Sequence, residues 1–164
     1  SKNQRRIIGY SDEFYASTIK ILDTYLKDDA NQDSFEMMHD LHHEVLAKYA
    51  YIRQARTIRY LEDIISRTYR GERLSYNRML CEAIDLLRDL KFELSNYFDT
   101  LMQSILHNIE SILDDRYLLK RYIRTPEEKL SANGLEIRKN YRKLIALRDE
   151  FLAIQKSRKS SVAE

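Results

Sequence analysis

At 164 residues and 19.7 kDa, with 43% apolar and 33% charged side chains, the chain is long enough for one domain with a sizeable core. A net charge of +2 is too small to imply nucleic acid on its own, so no nucleic-acid partner is expected, and the single cysteine, Cys81, excludes an internal disulfide and favours a reducing compartment. No apolar run nears the roughly 18 residues of a membrane span, and Ile7 and Ile8 alone cannot form a signal-peptide core, so the expectation is a soluble cytoplasmic protein.

Three glycines and one proline set the fold class. A sheet protein of this length needs many tight turns, and tight turns need Gly, Pro and Asn for their backbone angles. Here Gly9, Gly71, Pro126 and Gly134 stand where helices would start or stop, and the chain is expected to be all-α.

The first helix is expected to begin at Ser11, whose hydroxyl can cap it, with Asp12 and Glu13 at the positive end of the dipole. Tyr10 and Tyr15 stand at the positions of a hydrophobic staple. Tyr15, Ile19, Leu22, Tyr25 and Leu26 form its apolar stripe, and the polar segment 27–32 ends it. Asp33-Ser34-Phe35-Glu36 reads as a capping box for a second helix, which runs to about Arg70 and ends at Gly71. Its stripe includes Met38, Leu41, Val45, Tyr49, Ile52, Leu61 and Ile65.

A third helix starts near Ser75 and stays periodic through Leu80, Ile84, Leu87, Leu94, Phe98, Leu101, Ile105, Ile109 and Ile112. At 1.5 Å per residue the second and third helices would each span roughly 55 Å. The expected spine is therefore an antiparallel hairpin, 33–70 against 75–113, in a ferritin-like four-helix bundle. Residues 116–124 are expected to form a short helix, and Thr125-Pro126-Glu127-Glu128 to start another that Asn133-Gly134 interrupts. A final helix carries Ile137, Tyr141, Leu144, Ile145, Phe151 and Leu152. Residues 1–164 are read as one domain, with 1–9 and 157–164 as frayed tails.

Two groups of residues invite chemistry. Glu36 and His39 form a Glu-x-x-His pair, His43 follows one turn on, and a hairpin folded near residue 72 would set His107 and Glu110 at the same height. Stepping 100° per residue puts both pairs opposite their apolar stripes, so solvated faces are expected, with no metal and no cofactor. The second group points inward: Arg56, Arg59, Lys91 and Arg148 fall within apolar stripes. Each must meet a carboxylate, reach solvent along its stem, or bind an anion such as a phosphate-bearing small molecule.

Arg67, Arg70, Arg73 and Arg78, with Tyr69 and Tyr76, crowd the expected hairpin tip, where capping and solubility account for them. Cys81 is expected to be an inert buried thiol. The third helix is apolar over a wider arc than one neighbour needs, with Leu86, Leu90 and Tyr97 on one flank and Met102, Leu106 and Leu113 on the other. That excess points to a self-associating, non-enzymatic interaction or scaffold protein that forms a homo-oligomer.

At Gly9-Tyr10-Ser11-Asp12-Glu13 the chain resembles the G-x-x-D-E step that opens the bundle of cobalamin adenosyltransferases. The run of long helices is also similar to small ferritin-like bundles grouped with them, uncharacterised archaeal proteins included. The resemblance implies a helical bundle, trimeric in the enzymes, which bind ATP and a corrinoid between subunits. Their Gly- and Thr-rich phosphate-binding N-terminus is replaced here by Lys2-Asn3-Gln4-Arg5-Arg6. Their Arg-Arg-x-Glu-Arg motif is met by Arg138-Lys139-Asn140-Tyr141-Arg142, without the glutamate, and no Pro-Gly-Gly turn occurs. The implied architecture carries over, and the activity does not.

Overall fold

A computed structural model describes residues 2–69, 75–94 and 101–163, and side chains within 13–68, 75–91 and 101–157. Among the described residues the fold is all-helical and contains no strand. Gly71, Arg70 and Arg73, together with the side chains of Tyr69, Leu94, Tyr97 and Phe98, lie outside what is described. The chain divides into two compact units, Ser1–Ile52 and Arg53–Glu164, a boundary absent from the single-domain reading.

The first unit is a helical hairpin. Helix α1 spans Lys2–Leu26, a 3-10 segment covers Asp29–Ser34, and α2 begins at Phe35. Asp28 starts the 3-10 segment by accepting a hydrogen bond from the Ala30 N–H (3.0 Å). Tyr15 meets Tyr49, with ring centroids 6.1 Å apart, and Asp23 Oδ1 lies 2.7 Å from His42 Nε2. Advancing along α1 thus means going back along α2, so the two run antiparallel. Ser11 proves to be interior to α1 rather than its cap. The segment before it, rich in Lys, Arg, Gln and Ile, sustains a helix that Gly9 weakens by only about 1 kcal/mol.

The second unit holds the rest of α2 (Phe35–Tyr69), then α3 (Tyr76–Leu94), α4 (Met102–Leu113), α5 (Arg116–Leu118) and α6 (Ala132–Ala163). The expected unbroken arm 75–113 is corrected here. Such a helix would separate Tyr76 from Asp115 by nearly 60 Å, yet the Tyr76 hydroxyl donates to Asp115 Oδ1 at 3.2 Å. Asn77 and Cys81 meet Asn140 while Lys91 meets Glu150, so α3 runs parallel to α6. Leu113 meets Tyr141 while Glu110 meets Arg148, so α4 runs antiparallel to α6 and hence to α3. The wide apolar arc of the third helix belongs to two helices that fold back on each other beneath α6.

That arrangement covers Leu90, Met102, Leu106 and Leu113 within the chain, and with them most of the surface from which self-association was expected. Around them lie Leu61 of α2, Leu80 and Leu87 of α3, Ile105, Ile109 and Ile112 of α4, and Leu144 and Phe151 of α6, all essentially inaccessible to water. Each fully buried side chain of this size contributes about 1.5–3 kcal/mol relative to exposure.

The approach to α6 also differs from expectation. Glu127–Lys129 is a 3-10 turn, and Asn133-Gly134, expected to break a helix, lies in the first turn of α6. Ser131 is the cap, its Oγ accepting from the Gly134 N–H at 3.1 Å. A Cβ on Gly134 would stand 3.2 Å from Leu130 Cδ2, so this glycine permits a close approach and does not end the helix. At the other end α6 continues to Ala163, through the segment read as a tail.

Candidate functional site

Two of the four inward cations are held by carboxylates. Lys91, half-buried, donates from Nζ to Glu150 Oε2 at 2.9 Å. Arg148 Nη1 reaches Glu110 Oε1 at 3.4 Å, and its Nε donates to Asp149 Oδ1 at 3.2 Å. Burial lowers the pKa of Arg148, but the hydrogen bond to Asp149 and the charge on Glu110 outweigh it and leave the value raised. Arg56 is half-buried and Arg59 is exposed, against its expected inward orientation. A stripe drawn at 100° per residue is too wide to distinguish the rim of a helix face from its centre.

The weak metal candidates divide between the two units. Glu36 and His39 are exposed on α2 in the first unit, where the His39 ring stacks on Phe35 at 5.7 Å. In the second unit His107 is exposed, and Glu110 faces Arg148. No group of three or more His, Cys, Asp or Glu able to hold a metal ion occurs among the described residues. Cys81 is exposed rather than buried, and its sulfur accepts from Asn140 Nδ2 at 3.3 Å. The neighbouring contact of Asn140 Nδ2 with Asn77 Oδ1, at 2.7 Å, sets a polar seam between α3 and α6.

A more concentrated site lies where α3 begins and α4 ends. Asp115 caps α5 by accepting from the Leu118 N–H at 2.7 Å, and its second partner is Tyr76. The Tyr76 ring stacks on Tyr117 at 5.6 Å and lies at a tilt to Tyr122 at 6.3 Å. The Arg121 guanidinium is 5.4 Å from the Tyr117 ring centroid and 5.9 Å from that of Tyr122, within cation–π range of both. Helix α5 widens into a π-helical turn over Leu119–Ile123, closed by the Arg124 N–H donating to the Leu119 carbonyl at 2.8 Å. Arg138 of α6 then forks onto the orphan carbonyls of Tyr122, Ile123 and Thr125. A cation at these carbonyls satisfies both their hydrogen bonding and the negative end of the helix.

Beside this cluster a cleft of about 710 Å³ is lined by Tyr117, Lys120, Arg121, Lys129 and Asn133 among others. A second, of about 500 Å³, is lined by Arg138, Lys139, Arg142 and Lys143 of α6 together with Glu127. A third, of about 640 Å³, shares Lys143 and Ala146 with the second and also includes the Lys91 and Glu150 pair. A fourth, of about 330 Å³, lies between α2 and α3 and is mainly acidic, with Asp63, Glu82, Asp85 and Asp89. In none of these four do two of Arg56, Arg59, Lys91 and Arg148 meet.

The outward cations of this region carry a signal of their own in the sequence. Residues 116–143 carry nine basic and three acidic side chains, a net of +6 in a chain whose total is +2. Arg67 and Arg78, by contrast, are held by Asp63 and Glu82 one turn away. Compared with known protein families, curated proteins and solved structures, the chain matches none.

Proposed function

We propose that this is a non-enzymatic interaction protein that self-associates through its first unit. The observation behind this reading is the open apolar surface of the α1–α2 hairpin. Phe14 and Ile21, seven residues apart and so on one face of α1, are 56% and 68% exposed. Met37 and Leu41, one turn apart on α2, are 68% and 42% exposed. Two helices enclose little volume, and a second hairpin laid against the first completes a four-helix arrangement with these side chains inside. The partner is a second copy of the chain, and a stable dimer of this kind buries more than about 1,000 Å². The ferritin-like relationship becomes, in this reading, a property of the assembled dimer rather than of a hairpin 33–70/75–113.

Light scattering across micromolar concentrations tests the reading. The wild-type chain should show a concentration-dependent dimer, and Ile21→Lys with Met37→Lys should leave a folded monomer. A wild-type chain that stays monomeric throughout would refute it. The alternative, a phosphate or nucleotide held by Arg56, Arg59, Lys91 and Arg148, has weaker support because Lys91 and Arg148 already hold carboxylates. The link to cobalamin adenosyltransferases rests on Gly9 to Glu13, a segment interior to α1.

A further inference from the structure

We propose that the basic face built by residues 116–143 in the second unit binds single-stranded nucleic acid. Charge is the first support. Arg116, Lys120, Arg121, Arg124 and Lys129 are exposed, as are Lys139 and Arg142 on α6. Among the described residues, none of these comes within 4.0 Å of a carboxylate oxygen as an ion pair. The other 136 residues carry a net of −4, so the positive charge is a local feature that the whole-chain value of +2 conceals. Exposed cations without ion-pair partners attract a polyanion over a Debye length, and they release its counterions on contact.

Shape is the second support. Lys139, Arg142 and Lys143 rise along α6 on the side turned away from Ile137, Tyr141 and Leu144, which are buried. Their cleft and that of Lys120, Arg121 and Lys129 share no lining residue, so the cations are spread over two clefts instead of gathered in one. A chain of phosphates fits this better than a small ligand.

The third support is the ring in the first cleft. Tyr117 is 50% exposed, is steadied by Tyr76, and has the Arg121 guanidinium beside it. Bases stack on aromatic rings and on guanidinium planes, and only unpaired bases have free faces to offer. Anionic membrane fits less well, because surface-bound helices insert an apolar face. Along 116–146 the large apolar side chains exposed, Tyr117 aside, come down to Leu135 among the described residues.

Fluorescence anisotropy with labelled oligo-uridine and oligo-thymidine, using the full chain, tests the proposal. If about five phosphates are neutralised, log K should fall with log salt at a slope of about −3.5, so raising salt from 50 to 200 mM should weaken binding about a hundredfold. Lys120→Glu with Arg121→Glu, and separately Lys139→Glu with Lys143→Glu, should each weaken binding at least tenfold, whereas Lys20→Glu on α1 should not. Tyr117→Leu should cost about tenfold and Tyr117→Phe little, because a ring and not a hydroxyl does the stacking. No binding at 50 mM salt, or binding indifferent to both charge reversals, would overturn the proposal. Inorganic polyphosphate competing equally well, with Tyr117→Leu silent, would reduce the face to a polyanion sink and reject the nucleic-acid assignment. Tighter binding to anionic vesicles than to either strand would reject it as well.

Discussion

The two units are made of the same kind of helix and differ in what those helices cover. Among the described residues, Leu22 and Ala50 are the buried apolar side chains of the first unit, against twenty-one in the second. The second unit is about twice as long, so length accounts for a factor of two and not ten. The remainder is geometry. In the second unit α6 has α3 on one side and α4 on the other, and three surfaces close around Ile105, Ile109 and Phe151. In the first, α1 and α2 meet along a single line through Tyr15, Tyr49, Asp23 and His42, which leaves the outer apolar residues uncovered. Amphipathic helices become a core only when enough of them converge.

The sharpest way to break this contrast is to truncate one side chain in each unit. Phe151→Ala, at the centre of the second, should cost about 3–5 kcal/mol in urea denaturation. Ile21→Ala, in dilute monomeric solution, should change stability by less than about 0.5 kcal/mol. Equal losses would show that the hairpin is as tightly built as the rest.

Next in size is the fork of Arg138. Arg138→Ala strips the carbonyls of Tyr122, Ile123 and Thr125 of a charged donor and should cost about 1.5–3 kcal/mol in thermal unfolding. Arg138→Lys should recover only part, since an ammonium has no counterpart to the Nε–H that gives the Tyr122 carbonyl its second bond.

Tyr141 gives a smaller effect with a pH signature. Its hydroxyl donates to the Leu113 carbonyl at 2.7 Å, and burial, assisted by the charge of Asp114, raises its pKa above 10.0. The folded protein therefore keeps this proton longer than the unfolded chain does. The resulting stabilisation is complete below pH 10 and is lost as pH rises through the elevated value. Tyr141→Phe should cost about 1 kcal/mol at neutral pH, and urea titrations at rising alkaline pH should show the gap to wild type closing. A gap independent of pH would mean that the phenol is not held by this bond.

Smallest is Gly134→Ala. The atom nearest the new methyl is the flexible end of half-buried Leu130, which can yield, so helix propensity should prevail with a gain of about 0.5 kcal/mol. A loss in calorimetry would show that Leu130 is fixed.

Helix content was legible because it depends on which residues are missing, and the scarcity of Gly and Pro is plain in the sequence. The 27–32 break and the burial of Leu80, Ile84, Leu87, Ile105 and Ile109 follow from polarity and period in the same way. The opposed directions of α3 and α4 were not legible, since neither Gly nor Pro stands between Leu94 and Met102 and the apolar phase runs on through Leu101. Its trace was the apolar arc too wide for one neighbour, which fits a fold-back as well as a second subunit. The pairing of Lys91 with Glu150 and of Arg148 with Glu110 depends on how far α6 slides along its neighbours, and spacing within one helix carries no information about that. The basic face needed only a local count of charges, which the total of +2 obscured.

The position of α6 has a consequence for how the protein is made. The element that covers both α3 and α4 is the last of the described helices to be synthesised, and its 32 residues take about 2–6 s at 5–20 residues per second. For that interval the nascent chain presents the uncovered sides of Leu87, Ile105 and Ile109 without Leu144 and Phe151 to close them. The growing polypeptide therefore keeps this apolar surface open until α6 has been made, and its dependence on chaperones should be set by how fast the ribosome translates α6.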